Sequence, residues 1–283
     1  MEQKPYARRA QLLKLANEYL TALGRKTPET IPVAPNVRAT YNGQECPVGQ
    51  NDVWTYTVRI PERQSFVDPE NDTVVFFGVI TNDVVNFPAN MTPDKFYYSK
   101  WSLYMLRIKA EGDLITEIEE LTCDTPTHSY IPINDVRIYQ PIYDMLVPED
   151  EQLTREELVQ IVDDYWSACA KELPPSAIAV HPDGFRSEQG LKATDSARFP
   201  YSLTTEFDVS LFNWKMPRAE RRYPVVDPKR GIVVAIVIMG NAGPEMRRGA
   251  IVWEVFKIDA GLLKCMHCGY RVLIADSGWS KPE

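Results

Sequence analysis

Hydrophobic and polar positions along this chain follow two periods, and the two come in the same order twice. Residues 8–23, RRAQLLKLANEYLTAL, place Leu12, Leu13, Ala16, Leu20 and Leu23 at the spacing of one helix face. Residues 155–169, REELVQIVDDYWSAC, do the same with Leu158, Ile161, Val162, Tyr165, Trp166 and Cys169, and Thr154 with Glu157 has capping-box spacing. Tyr19 falls on Tyr165. A proline-containing loop follows each helix, ETIPVAPNVRATYNG at 29–43 and SAIAVHPDGFRSEQG at 176–190, which sets Arg38 against Arg186 and Gly43 against Gly190 with one residue of slippage.

Strand-like segments come next. RQSFVDPENDTVVFFGVITN (63–82) and RRYPVVDPKRGIVVAIVIMGN (221–241) align without a gap from Arg63 on Arg222 to Asn82 on Asn241, through a shared aspartate-proline turn. SLYMLRIKAEGDLITEIEEL (102–121) and IVWEVFKIDAGLLKCMHCGY (251–270) each read as a strand, a glycine turn and a returning strand, with Arg107 on Lys257 and Glu119 on His267. A repeat of about 150 residues is a domain duplication rather than a solenoid. The expected domains are 1–147, ending in a proline-rich and acidic linker, and 148–283.

The pattern predicts an α+β fold of two tandem domains, each a helical layer on a curved antiparallel sheet of about four strands. GIVVAIVIM and TVVFFGVI are apolar at every position, whereas a sheet with one wet face would alternate. Both faces are therefore covered, and the expectation is that the two sheets pack back to back as an intramolecular pseudo-dimer.

Composition narrows the function classes. The 283 residues are 44% hydrophobic and 25% charged, the make-up of a packed protein, and the net charge of -8 argues against a nucleic-acid partner. No apolar run approaches the ~20 residues that span a bilayer, and the N-terminus lacks a signal-peptide core, so neither membrane nor secretion is expected. Five cysteines without framework spacing suit a reducing cytoplasm. Phosphate-loop, dinucleotide, zincin and nucleophile-elbow motifs are absent. Cys265 and Cys268 form a lone C-x-x-C without a second pair, so no metal is expected.

The succession of helix, RATYNG or RSEQG, hairpin, and LRIKAEGDLITEIEEL resembles the cone-shaped fold of scytalone dehydratase, ketosteroid isomerase and the SnoaL-like polyketide cyclases, the nuclear transport factor two superfamily. RRYPVVDPKRGIVVA with the Ser277–Trp279 SGW resembles a tandem version of it, from a two-domain fungal and bacterial family of mostly unknown activity. The resemblance implies two tandem cones, each with an apolar pocket between helices and sheet, where ionisable side chains move protons without metal or organic cofactor. Some relatives dehydrate, cyclise or isomerise; others only bind. Fold alone does not choose among these chemistries.

Candidate residues follow from residue type and place. His267, on a strand expected to line the pocket, titrates near neutrality; its alternative is a hydrogen-bonded core histidine. His181 stands where the first repeat has Ala34, or is an exposed loop histidine. Arg38 and Arg186 can hold an oxyanion, or pair with Glu188 or Asp183. Glu119 shares a face with Glu117, Glu120 pointing away, and would be a base if the pocket is apolar. Those five are the candidate catalytic groups. Glu254, among apolar neighbours, is a pocket acid or is neutralised by Arg218, Arg221 or Arg222. Tyr165, Trp166, Trp101 and Tyr104, with Tyr97 and Tyr98, can stack on a flat substrate or fill the core.

The expected activity is a cofactor-independent lyase, dehydratase, isomerase or cyclase acting on a bulky aromatic or polycyclic molecule. The alternative is a non-catalytic module that binds a small molecule or a protein. Unlike residues at matched positions predict that one unit holds the active pocket, with a lean toward the second. A monomer and a homo-oligomer both remain open.

Overall fold

The computed structural model describes residues 3–82, 101–123, 138–170, 172–194, 220–239 and 250–272. The chain divides into two compact units, the first within residues 1–139 and the second within 140–275. The segment 140–147, which the sequence reading counts with the first half, is tied to the second unit. The Val147 N–H donates to the Lys229 carbonyl, and the Lys257 ammonium donates to the Met145 carbonyl.

In the first unit α1 (Gln3–Arg25) precedes β1 (Val33–Tyr41), β2 (Gln44–Glu45), a short α2 (Asp52–Tyr56), β3 (Thr57–Asp68), β4 (Thr73–Asn82), β5 (Trp101–Glu111) and β6 (Leu114–Thr122). The second unit has α3 (Arg155–Cys169), β7 (Val180–Glu188), β8 (Leu191–Lys192), β9 (Arg221–Asp227), β10 (Ile232–Met239), β11 (Ala250–Asp259) and β12 (Leu262–Val272). Strand order is β2-β1-β6-β5-β4-β3 in one sheet and β8-β7-β12-β11-β10-β9 in the other.

This corrects the expectation of antiparallel, cone-shaped curved sheets. Each sheet is mixed, because β1 runs parallel to β6 and β7 parallel to β12. Among the described residues each is an open six-stranded ladder whose first and last strands do not pair with each other, so neither closes into a cone. The unforeseen strands, β1 and β7, are the proline loops of the sequence. Proline has no N–H for a ladder, and the pairing of β1 is interrupted between Val33 and Arg38, around Pro35. In the second unit the interruption lies between Leu263 and Cys265 on β12, opposite Val180 to Phe185, which holds Pro182.

Hairpin geometry fixes how the units correspond. Asn42–Gly43 and Gln189–Gly190 carry matching left-handed backbone, with φ of 53° and 78° against 53° and 83°. Both glycine-turn hairpins slip register at one place, between Lys109 and Ala110 and between Lys257 and Ile258. Counting from these marks, Glu119 matches His267 and Glu120 matches Cys268. Lys257 matches Lys109 rather than Arg107, and Arg186 matches Ala39 rather than Arg38. A one-residue offset exchanges faces, so the two arginines aligned by sequence lie on opposite sides of their sheets.

Helices cover one face of each sheet. Leu12, Ala16, Tyr19 and Leu23 of α1 join Phe76, Leu106, Ile108 and Ile118 in one core. Leu158, Val162, Tyr165 and Trp166 of α3 join Val233, Phe256 and Met266 in the other. Arg8 clamps α1 down, donating to Asp72 Oδ1 at 2.6 Å and to the Ala110 and Gly112 carbonyls. The capping box of α3 forms: the Glu157 N–H donates to Thr154 Oγ1 and the Thr154 N–H to Glu157 Oε2. The second face of each sheet is buried as well, at Val75, Val79, Leu103 and Met105 and at Val234, Ile236, Trp253 and Val255.

Candidate functional site

On the helix-covered face of the first sheet, one carboxylate stands in the core. Glu120 of β6 is 4% exposed. Tyr104, from the neighbouring β5, donates its hydroxyl proton to Glu120 Oε1 at 2.6 Å. Asn51, just before α2, donates from Nδ2 to Oε2 at 2.5 Å. The Tyr19 hydroxyl of α1 and the Trp54 indole of α2 lie beside the same carboxylate, their rings edge to face at 5.4 Å. Neither donor closes a hydrogen bond of ordinary geometry to any described residue.

All these partners are neutral. Burial raises the Glu120 pKa, and the hydrogen bonds from Tyr104 and Asn51, with the nearby Tyr19 and Trp54 donors, pull it back only in part. Burial, reinforced by the Glu120 charge, pushes Tyr19 and Tyr104 well above the usual phenol range. Such a carboxyl can hold a proton under conditions where an exposed glutamate has lost it, and can return it.

Glu119, next in the chain, is on the opposite face. It accepts from Arg107 Nη1 at 2.8 Å while Glu117 accepts from Nη2 at 2.7 Å. Arg38 shares that face, paired in register with Glu117.

In the second unit the helix-covered face carries a different set. Arg186 Nη2 lies 3.4 Å from Glu188 Oε2 and donates to Cys268 Sγ at 3.5 Å; its Nε is 3.8 Å from Glu254 Oε1. Glu254 is 1% exposed and faces Cys268 across the β11–β12 ladder. Arg186, not Arg221, is its cation. Arg221 instead holds Asp163 Oδ1 at 2.9 Å and Ser167 Oγ at 2.9 Å, tying β9 to α3. Burial, with the Glu254 charge next, pushes the Cys169 thiol up to about 12. Tyr165 and Trp166 pack edge to face on Phe256 at 5.1 and 6.4 Å and belong to the core.

Both candidate histidines lie elsewhere. His267 is buried on the face away from α3, where Nε2 accepts the Gly190 N–H at 3.1 Å, and burial lowers its pKa to about 4. His181 is partly exposed in the interrupted part of β7, and its Nδ1 accepts the Asp183 N–H. Trp101 opens β5 with its side chain outside the described set; Tyr97, Tyr98, Arg218 and the Ser277–Trp279 stretch also lie outside the described residues. The five cysteines are free thiols, and Cys265 and Cys268 point to opposite faces, the former donating to the Tyr143 hydroxyl oxygen. Among the described residues no group of three His, Cys, Asp or Glu could hold a metal, and no helix is long and apolar enough to cross a membrane.

The structure thus brings Tyr104 together with Glu120, Asn51, Tyr19 and Trp54, and Arg186 with Glu254 and Tyr165; it does not bring Glu119, Arg38, His181 or His267 to either group. Sequence alternation places Glu120 opposite Glu117 and Glu119 but does not tell which of the two faces meets the helices, because β4 and most of β5 are apolar on both sides. The legible signal was Asn51-Asp52 ahead of Val53 and Trp54, a helix start pointing a polar cap inward.

The model of one family, DUF8021, a domain of unknown function, matches residues 6–122 and again residues 151–268. Among curated proteins none matches the chain. Solved structures with some likeness include candidate polyketide cyclases from Silicibacter sp. (10% identity, 43% of this chain and 95% of that one, TM-score 0.32) and Xanthomonas campestris (10%, 40% and 91%, 0.31). AclR from Streptomyces galilaeus, a candidate hydroxylase, is 12% identical over 42% of this chain and 92% of its own, with a TM-score of 0.30. Each spans about one unit, and likeness at these values bears on neither chemistry nor substrate.

Proposed function

The chain belongs to the DUF8021 family, carrying two copies of its domain, and we propose that it is a cofactor-independent acid–base catalyst working in its first unit. The reading is of a SnoaL-like lyase, dehydratase, isomerase or cyclase acting on an apolar aromatic or polycyclic molecule. Glu120 exchanges the proton; Tyr104, with the Tyr19 hydroxyl beside the same carboxylate, offers the donors that favour a developing oxyanion. The observation that carries this is a core carboxyl with a raised pKa whose partners are all neutral donors. Glu254 of the second unit, by contrast, has a cation, Arg186, 3.8 Å away. Five free thiols suit a reducing compartment.

The test is solvent-deuterium exchange, followed by NMR, over a panel of aromatic and polycyclic ketones with acidic C–H bonds. The expected result is exchange with some members, reduced by about 10²–10⁴-fold in Glu120→Gln, the usual weight of one general acid–base group. Compounds that bind yet exchange no faster with protein than without it would identify a binding module instead.

A further inference from the structure

Asn51 does two things at once. Its Oδ1 accepts the backbone N–H groups of Val53 at 3.0 Å and Trp54 at 3.4 Å, capping α2. Its Nδ2 donates to Glu120 Oε2. The cap decides which end of the amide is which, because a backbone N–H needs an acceptor and Nδ2 is a donor only. The amide is thereby locked with its N–H toward Oε2. Asn51 is itself buried and held by the start of a helix, so it has no second orientation to adopt.

This lock has a consequence for the acid form of Glu120. A proton on Oε2 would face an amide that can only donate. A proton on Oε1 faces the Tyr104 hydroxyl, which can accept as readily as it donates. We propose that Asn51 is a positioning residue that confines the Glu120 proton to Oε1, so that proton exchange with substrate runs along the Glu120–Tyr104 edge of the site. The inference rests on the reading of Glu120 as the exchanging group. On gaining its proton, Glu120 turns Oε1 from acceptor to donor, and the Tyr104 O–H must rotate away toward a new acceptor. The Tyr19 hydroxyl, beside the same carboxylate, has a lone pair to offer. No atom is gained or lost in this step; one hydrogen bond reverses its direction.

Other titratable groups around the carboxyl are few. Tyr19 faces it from α1, Tyr104 from β5, Tyr41 from β1 beside it, and Cys46 from the loop after β2, with Asp52 acting on that thiol. The Arg107, Glu117 and Glu119 group is on the far side of the sheet.

Infrared difference spectroscopy of the protein labelled with ¹³C glutamate, as a function of pH, reads the acid form directly, with Glu120→Gln assigning the band. In the wild type the carbonyl oxygen of the acid is Oε2 and accepts from Asn51. Asn51→Ser keeps a capping oxygen and removes the donor. It is expected to move the acid carbonyl band to higher frequency and to raise the titration midpoint by about one pH unit, the loss of one hydrogen bond to a charged acceptor, with thermal stability little changed. Asn51→Asp, also a good cap, is expected to raise the midpoint further through like charge. Unchanged band and midpoint in Asn51→Ser would overturn the assignment, as would a fall in stability with no shift of either, the mark of a cap alone. If Asn51→Ser does not fold, an unmoved midpoint in Asn51→Asp overturns it equally. None of these readouts needs turnover, so absent exchange with ketones would remove the catalytic reading while leaving the proton's place to be decided here.

Discussion

A single residue's neighbours decide how an ionisable group behaves, and those of His267 are the surroundings of a hydrogen-bonded core histidine. Its imidazole is buried and neutral, accepting the Gly190 N–H, with a pKa lowered to about 4 from 6.5. The unfolded chain therefore binds a proton between those values and the folded chain does not, so stability must fall as pH drops from 6.5 toward 4. Between pH 7 and pH 5 the expected loss is about 2 kcal/mol, from 1.36 kcal/mol per unit over about 1.5 units. Urea unfolding at the two pH values measures it, and His267→Gln, which retains an acceptor for Gly190, is expected to remove this part of the pH dependence. The sequence displayed His267 plainly, yet residue type carries no record of which face a strand turns to its helix. Glu120 was equally visible and was set aside for the same reason. With Val75, Phe76, Phe77, Leu103, Leu106 and Ile118 all buried, the period-2 signal that separates inside from outside had vanished.

At the scale of elements the helices and central hairpins were legible because each rests on local chemistry: the 3.6-residue stripe, the Thr154–Glu157 capping box, the Asp-Pro turns. Strands β1 and β7 were not, since Pro35 and Pro182 look like loop residues until the sheet is seen to interrupt its pairing around them. Their parallel partners are more than 70 residues away in sequence, beyond any local pattern. Turn glycines divide by the same logic of surroundings. Gly231 and Gly112 both have left-handed backbone, at φ 58° and 57°. A Cβ on Gly231 would lie 2.1 Å from the carbonyl oxygen of Ile258, a residue whose own N–H donates to the Gly231 carbonyl, whereas one on Gly112 meets nothing within 4 Å. Gly112→Ala is expected to cost about 1 kcal/mol for its dihedral alone. Gly231→Ala adds a backbone clash to that and is expected to cost at least twice as much, which parallel thermal melts would separate.

For the whole molecule, duplication supplied two similar scaffolds, and the two have buried their acids differently. In the first unit Glu120 sits on the sixth strand among neutral donors. The matched position in the second is Cys268, and the acid there is Glu254, on the adjoining strand where the first unit has Leu106, with Arg186 as its counter-ion. A cation beside a carboxylate favours its charged form, which suits a scaffold; a cage of neutral donors supplies no counter-charge. Removing Arg186 alone, as Arg186→Met, takes the cation from beside a carboxylate that is 1% exposed and is expected to destabilise the second unit by about 3–5 kcal/mol. Removing both charges, as Arg186→Met with Glu254→Leu, is expected to restore most of that stability, because no uncompensated charge is left in the core. If proton exchange is confined to the first unit, the double variant will also retain wild-type exchange on whatever ketone Glu120 serves. Loss of exchange in a double variant that melts like the wild type would instead place the chemistry at Arg186 and Glu254, and leave the Glu120 cage as the scaffold.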